Sequence, residues 1–471
     1  MRKLSLDYKE NVKYLNRALR VDESFDLLRK TLRVGDGEFT LYYVDGFVKD
    51  TVMQKLMMHF LSVKKLPDSA YEFMITGVPY VECDVTEDAD LMIQMVLSGA
   101  TLLIGSSFGS HAIVIDSRTY PARNTDEPQG DRVMRGARDG FVETLIFNTA
   151  LIRRRIRDTS LTMTYLSVGS ESKTDVVVCY MNGKADAEYV DELIKKIRSI
   201  KTKSLSMGAQ SLAECLIRRR WYNPFPKVRM TERPDFTAAQ ILEGGVAIIL
   251  DNSPEVLLLP SSMFDFMQET NDFYFPPITG TYISLVRYAV FLATLFVTPV
   301  WYLLLSYPEL IPDWLAFIQP ENTGRLPIIF QLFLVEFIID ALRLASSNTP
   351  DMLANSLSVV GGLILGDFAV DIGWLIPEVI LYMAFVSIAN FSQRNYQLGY
   401  AFKFMRIILL VLVALFDLYG LLFGIALVIA LIATNKTANG KRSYLYPLIP
   451  FSAKGMAALF FRVKKRDVET K

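Results

Sequence analysis

Cysteine and histidine are scarce here, with three and two copies in 471 residues. Cys83, Cys179 and Cys215 stand far apart, with no CxxC pair, which excludes a disulfide framework and a thiolate metal site and fits reduced cytosolic thiols. His59 and His111 have no second Cys or His at ligand spacing, so zinc lacks donors. No charge sign dominates: 50 basic residues balance 50 acidic ones, and no basic stripe runs along the chain to track phosphates, which excludes a nucleic-acid binder. A phosphate loop is missing too, because GSSFG at 105–109 lacks the glycine spacing and the following helix that pyrophosphate requires. Ser106, Ser107 and Ser110 beside His111 have no orienting acid and no oxyanion hole. No catalytic residue, metal or cofactor is therefore expected, and the chain does not read as an enzyme. The first 20 residues contain no apolar signal core, so the soluble part is expected to stay cytoplasmic.

Apolar residues are abundant. They make up 51% of the chain and concentrate after Tyr282, and the mean hydropathy is +0.26. The fold class expected is an α/β cytoplasmic region of two subdomains followed by an α-helical multi-pass membrane domain. The divisions are residues 1–157 and 158–281 for the two subdomains, the second with a linker, 282–450 for the membrane helices and 451–471 for a basic cytoplasmic tail.

In the first half, leucines at helical spacing over 10–33 predict surface helices with a break near Val21. Aromatic and β-branched residues at 38–47 predict a strand ending at the Asp45-Gly46 turn, and 49–64 a Met-rich helix. A helix at 87–98 and strands at 100–105 and 112–116 follow; 118–138 is a polar connection and 139–157 an amphipathic helix with a basic end. The second half predicts strands at 161–168 and 175–181, a helix at 187–200 and a hairpin over 245–260.

Candidate membrane spans are 283–305, 326–344, 353–372, 375–391 and 407–434, each near the roughly 20 residues needed to cross. In the third, Asn355, Ser358, Gly362 and Gly366 recur down one side of a helix, and Gly362 with Gly366 forms a GxxxG pair. Two readings stand, a pore lining or close helix packing. Glu336, Asp340 and Arg343 share a face of the second span, where Asp340 is placed to pair with Arg343, and Asp367 is a further intramembrane charge. An intramembrane face and an interfacial segment both fit them. Arg394, Lys403 and Arg406 and the tail residues Lys454, Arg462, Lys464, Lys465 and Arg466 all ask for the cytoplasmic side. That is met by four crossings if the last segment is a hairpin broken near Asp417. The tail could also lie on anionic lipid.

Long stretches, among them RGARDGFVETLIFNTALIRRRIRD (135–158), NPFPKVRMTERPD (223–235), ILEGGVAIILDNSPEVLLLP (241–260) and SVVGGLILGDFAV (358–370), resemble the GerA family of spore germination proteins, A-subunit type. Within that family the start of the chain and its short membrane loops are closer to a sporulation branch than to the nutrient-receptor A subunits. The resemblance implies residence in the spore inner membrane, a homo-oligomeric ring, other germination membrane proteins as partners, and ion release during germination, with monovalent cations as cargo. In that picture Glu336 or Asp340 supplies negative charge, and Arg229, Glu232, Arg233 and Asp235 form a coupling linker able to pair with neighbouring subunits, an ordinary ordered linker being the alternative. A non-conducting scaffold that gathers germination receptors and a nutrient-receptor A subunit are the alternatives.

Overall fold

The computed structural model describes residues 3–119, 133, 136–217, 221–269, 272, 274–321, 323–347, 362, 366, 368–393, 395–438 and 443–461. The chain forms two compact units: Met1–Arg219 with Val228–Ser261, and Arg220–Lys227 with Ser262–Lys471.

The first unit opens with α1 (Tyr8–Leu19), β1 (Leu27–Val34), β2 (Gly37–Val44), α2 (Asp50–Ser62), α3 (Ala70–Gly77), β3 (Cys83–Thr86), α4 (Ala89–Leu97), β4 (Thr101–Gly105) and β5 (Ala112–Ile115). It continues with α5 (Leu145–Arg155), β6 (Leu161–Val168), β7 (Thr174–Met181), α6 (Ala187–Arg198), α7 (Gly208–Leu216), β8 (Arg229–Thr231), α8 (Pro234–Leu242), β9 (Val246–Leu250) and β10 (Val256–Leu259). The second nine elements repeat the first nine in type and order. The sheets repeat as well, β1-β2-β4-β5-β3 and β6-β7-β9-β10-β8. Every strand pairing among the described residues is antiparallel.

Each sheet is covered on both faces, which is why its central strands are apolar without alternation. Leu102, Ile104 and Val114 pack with Leu15, Met92 and Val96 of α1 and α4, while Leu103, Ile113 and Ile115 pack with Leu56, Phe60 and Phe73 of α2 and α3. In the second sheet Val177, Cys179, Ala247 and Ile249 pack with Ile152 of α5 and Ile241 of α8. The repeat therefore places α5 with the second sheet, ahead of a boundary after residue 157.

Residues 27–34 are a strand, not the second part of a helix. LLRKTLRV satisfies a helical and a two-residue period equally, and the hairpin with β2 decides between them: Val34 pairs with Gly37 around Gly35, at φ 57. A Cβ on Gly35 would lie 2.7 Å from the Lys64 carbonyl, so the turn needs glycine there. The helix expected from residue 139 begins at Leu145. α3, β3, α7, β8 and α8 were not expected.

The second unit contains α9 (Met263–Met267), α10 (Pro277–Ser306), α11 (Ile328–Ser347), α12 (Pro377–Phe391), α13 (Tyr396–Ala433) and α14 (Ala453–Phe460). Among the described residues α10 and α13 are long and apolar enough to cross a membrane, and α12 is a shorter apolar helix. α13 is a hairpin: Asp417 has φ 49 and ψ −127, and a Cβ on Gly420 would lie 1.9 Å from the Leu412 carbonyl eight residues earlier. In a straight helix that separation is about 12 Å. The hairpin expected near Asp417 is present.

Candidate functional site

The outside of the second unit is apolar, with Leu292, Phe337, Leu381, Phe385, Phe404 and Phe423 all exposed. Three charges of its long helices, Glu336, Lys403 and Arg406, are buried between them. Glu336 of α11 accepts from Lys403 Nζ at 2.7 Å and from Arg406 Nη2 at 2.5 Å, both on α13. Asp340, one turn further along α11, pairs with the same Lys403. Arg406 is 2% exposed and Lys403 5%, and Arg406 Nη1 also reaches the Thr294 carbonyl of α10 at 3.4 Å. Acids four apart meet bases three apart, each spacing being one helical turn, so the two helices present a matched ladder. Burying such charges is tolerable only because each has partners.

This arrangement corrects two expectations. Asp340 does not pair with Arg343 within its own helix; the Arg343 guanidinium turns instead to the rings of Phe391, Tyr396 and Tyr400, at 4.9, 5.2 and 5.1 Å. Lys403 and Arg406 do not lie in a loop before the last span, because α13 starts at Tyr396, capped by the Asn395 side chain on Leu398 N–H, and includes both. Glu336 and Asp340 are consequently neutralised acids. The spacing of KFMR in an apolar run was the available signal, and the loop reading hid it.

Beside the ion pairs lies a neutral polar group. Gln393 Nε2 donates to Thr294 Oγ1 at 3.3 Å, and the Thr294 hydroxyl donates to Val290 O at 2.9 Å. Thr298 follows one turn along α10, next to Pro299, which lacks the N–H that the Leu295 carbonyl would otherwise receive.

Of the proposed stripe, Asn355 and Ser358 lie outside the described residues, as do Asp367, Arg394 and the tail residues from Arg462 onward. Gly362 is exposed and Gly366 half-buried, and a Cβ on either would meet nothing within 4 Å. Close packing of this GxxxG pair against another described helix of the same chain is thus not found.

The residues expected to form a coupling linker belong to the α/β unit. Arg233 is buried and donates to the Asp235 carboxylate at 3.0 and 2.6 Å and to Ala137 O at 3.0 Å; Glu232 O accepts from Phe141 N; Arg229 lies 3.9 Å over the Phe236 ring. These groups hold β8 and α8 in place and are engaged within the chain. The stretch that enters the helical unit is 220–227. There Asn223 Nδ2 donates to Leu431 O at 3.0 Å, Phe225 packs edge-on to Phe402, and Pro226 O accepts from Tyr444 Oη at 2.7 Å. Tyr444 O accepts in turn from Met263 N at 2.9 Å. One buried tyrosine therefore holds both segments by which the chain arrives from the α/β unit.

Residues 13–471 match the family described as Bacillus/Clostridium GerA spore germination protein. The chain belongs to the GerA family. Among GerA relatives, it is 36% identical over 459 residues to stage V sporulation protein AF of Bacillus subtilis (strain 168), covering 97% of this chain and 92% of that one. It is 26% identical to spore germination protein KA of the same organism, over 94% of this chain and 82% of that one. It is 30% identical to spore germination protein A1, over 78% and 76%. The N-terminal domain of the A subunit of the Bacillus megaterium spore germinant receptor GerK3 aligns at 22% identity with a TM-score of 0.41, over 55% of this chain and 96% of that one. The GerA assignment makes this a spore germination membrane protein.

Proposed function

We propose that this protein is an oligomeric ion-channel subunit of the spore inner membrane that promotes ion release during germination. The observation that carries the reading is the polarity of the helical unit: large apolar residues outside, and Glu336, Lys403, Arg406, Thr294 and Gln393 inside, with the half-exposed Asp340 paired to Lys403. An anchor needs only the apolar exterior, whereas a path for ions needs the interior as well. The open glycine face at Gly362 and Gly366 supports a seam against other copies in a ring. If the candidate spans 283–305, 326–344, 353–372 and 375–391 all cross, α13 folded back on itself adds none or two, the number of crossings is even, and the tail returns to the cytoplasmic side. Other germination membrane proteins are the partners in this reading.

The neutralised acids favour a second reading, a non-conducting scaffold that gathers germination receptors, because Glu336 and Asp340 are occupied by Lys403 and Arg406 and leave no acidic ring to draw cations. Ion flux into liposomes containing the full-length protein, measured beside its oligomeric mass, separates the two. Flux abolished by Gly362→Leu with the oligomer intact supports the channel. An intact oligomer without flux in the wild type, alone or with co-purified partners, supports the scaffold.

A further inference from the structure

The two halves of the α/β unit correspond in register as well as in element order. Asn11 of α1 and Asn148 of α5 each clasp the backbone six residues earlier. Ser5 N and Val142 N donate to their Oδ1 atoms, both at 2.8 Å, and their Nδ2 atoms donate to Ser5 O and Val142 O at 2.7 and 2.5 Å. Leu27 of β1 stands opposite Val44 as Leu161 of β6 stands opposite Met181. In this frame Lys13 and Asn16 correspond to Ala150 and Arg153, and Arg29 corresponds to Met163.

In the second half the outer edge of β6 is covered where α5 overhangs it. Phe25 N donates to Met163 O at 3.1 Å, Met163 N to Ser24 Oγ at 3.2 Å, and Arg153 Nη2 to Leu161 O at 3.1 Å, while Asp26 meets Arg153 at 2.7 Å. The cover is thus an acidic segment, Ser24-Phe25-Asp26, that joins the backbone edge and sets a carboxylate on a helix cation. Leu161 and Met163 turn their backbone groups outward, so in β1 the equivalent Leu27 and Arg29, and with them Thr31 and Arg33, do the same.

The edge of β1 is open. Among the described residues no strand pairs with its outer side, and Arg29, Thr31 and Arg33 are exposed. Tyr42 Oη donates to Asn16 Oδ1 at 2.9 Å and Asn11 Nδ2 to Gly109 O at 3.3 Å, which turns the Asn11 flank of α1 toward the middle of the sheet and sets the exposed Lys9 and Lys13 over β1. Against these four cations, Glu38, opposite Arg33, is the one acid on that face of β1 and β2. A second copy of this chain fits poorly. Its counterpart of Ser24-Phe25-Asp26 is Asp158-Thr159-Ser160, which follows RRRIR at 153–157, and another β1 edge is equally basic. We propose that the groove between α1 and β1 binds an acidic, extended segment of a partner protein, which adds to the edge of β1 and sets carboxylates against Lys9, Lys13, Arg29 and Arg33. The proposal holds for a channel and a scaffold alike.

The probe is a fluorescent peptide of repeated Thr-Glu, titrated by anisotropy against the full-length protein in detergent, with repeated Thr-Lys as the control. Saturable binding of the acidic peptide alone is expected, with new protection from hydrogen exchange within 27–34. Lys13→Glu with Arg29→Glu, both at exposed positions, should weaken binding by about tenfold or more. Only alternate N–H groups of an added strand face β1, so methylating the amides of one residue type, Glu or Thr, should abolish binding and methylating the other should leave it. If the double variant does not fold, the methylated pair decides, since it leaves the protein unaltered. Absence of binding by the wild type, binding that survives in the folded double variant, or equal effects of the two methylations overturn the proposal. A wild-type oligomer that the double variant dissociates also overturns it, by assigning the edge to a second copy.

Discussion

Arg406 and Glu336 lie 70 residues apart in sequence and 2.5 Å apart in space, with the carboxylate shared by Lys403. Removing one partner strands a charge away from water, so Glu336→Gln is expected to destabilise the helical unit by about 3–5 kcal/mol. Replacing both, as in Glu336→Gln with Arg406→Met, should recover part of that loss. Thermal unfolding in detergent measures both. Equal stability of Glu336→Gln and wild type would mean the pair is not formed.

A second buried pair joins the two halves of the α/β unit. Arg153 Nε reaches Asp26 Oδ2 at 2.7 Å, with side chains 0% and 2% exposed, and Arg153 also donates to the Asp158 and Leu161 carbonyls. Asp26→Asn should cost about 3 kcal/mol. Its cleavage by protease between β5 and β6 should also accelerate, since this arginine ties the second sheet to the segment before β1. An unchanged proteolysis rate would argue that the halves are held by their apolar contacts alone.

Asp417 occupies a backbone region that favours glycine, at φ 49 and ψ −127, at the exposed tip of the α13 hairpin. Asp417→Gly should stabilise the protein by about 1 kcal/mol, and Asp417→Ala should not. Destabilisation by glycine, read from the same melting curves, would show that the carboxylate itself holds the turn.

Tyr444 is a buried hydroxyl whose pKa is raised by burial, so it remains a donor to Pro226 O across the physiological range. Tyr444→Phe keeps the ring and strands that carbonyl, for an expected loss of about 1–2 kcal/mol. In hydrogen exchange the change should appear in 220–227 and around Met263 together. Exchange altered at only one of the two segments would show that they are held independently.

The repeat in the α/β unit is legible in the sequence once the structure points to it. Asp45-Gly46 after β2 and Asn182-Gly183 after β7 occupy equivalent turns, with glycine φ of 78 and 82. Gly99 and Gly244, φ 101 and 92, end α4 and α8 before the apolar strands β4 and β9. Local pattern marked the Asp45-Gly46 turn and the apolar strands at 100–105, 112–116 and 245–260, while Asn182-Gly183, Gly99 and Gly244 went unread. It mislabelled β1, because amphipathic spacing there fits two periods and only a partner strand chooses.

By itself, the sequence determined the α/β-then-helical class of the protein, the two halves of its α/β region and the apolar helices, which follow from composition and periodicity within short windows, while the break near Asp417 came from the placement of its basic residues. Tertiary structure alone decided the partners of the charges: that Glu336 and Asp340 meet Lys403 and Arg406 rather than Arg343, and that Arg233 serves its own sheet. The reason is physical. A charge or a carbonyl is satisfied by whatever lies within about 3 Å, and in a folded chain the groups that come so near are set by helix packing between segments far apart in sequence.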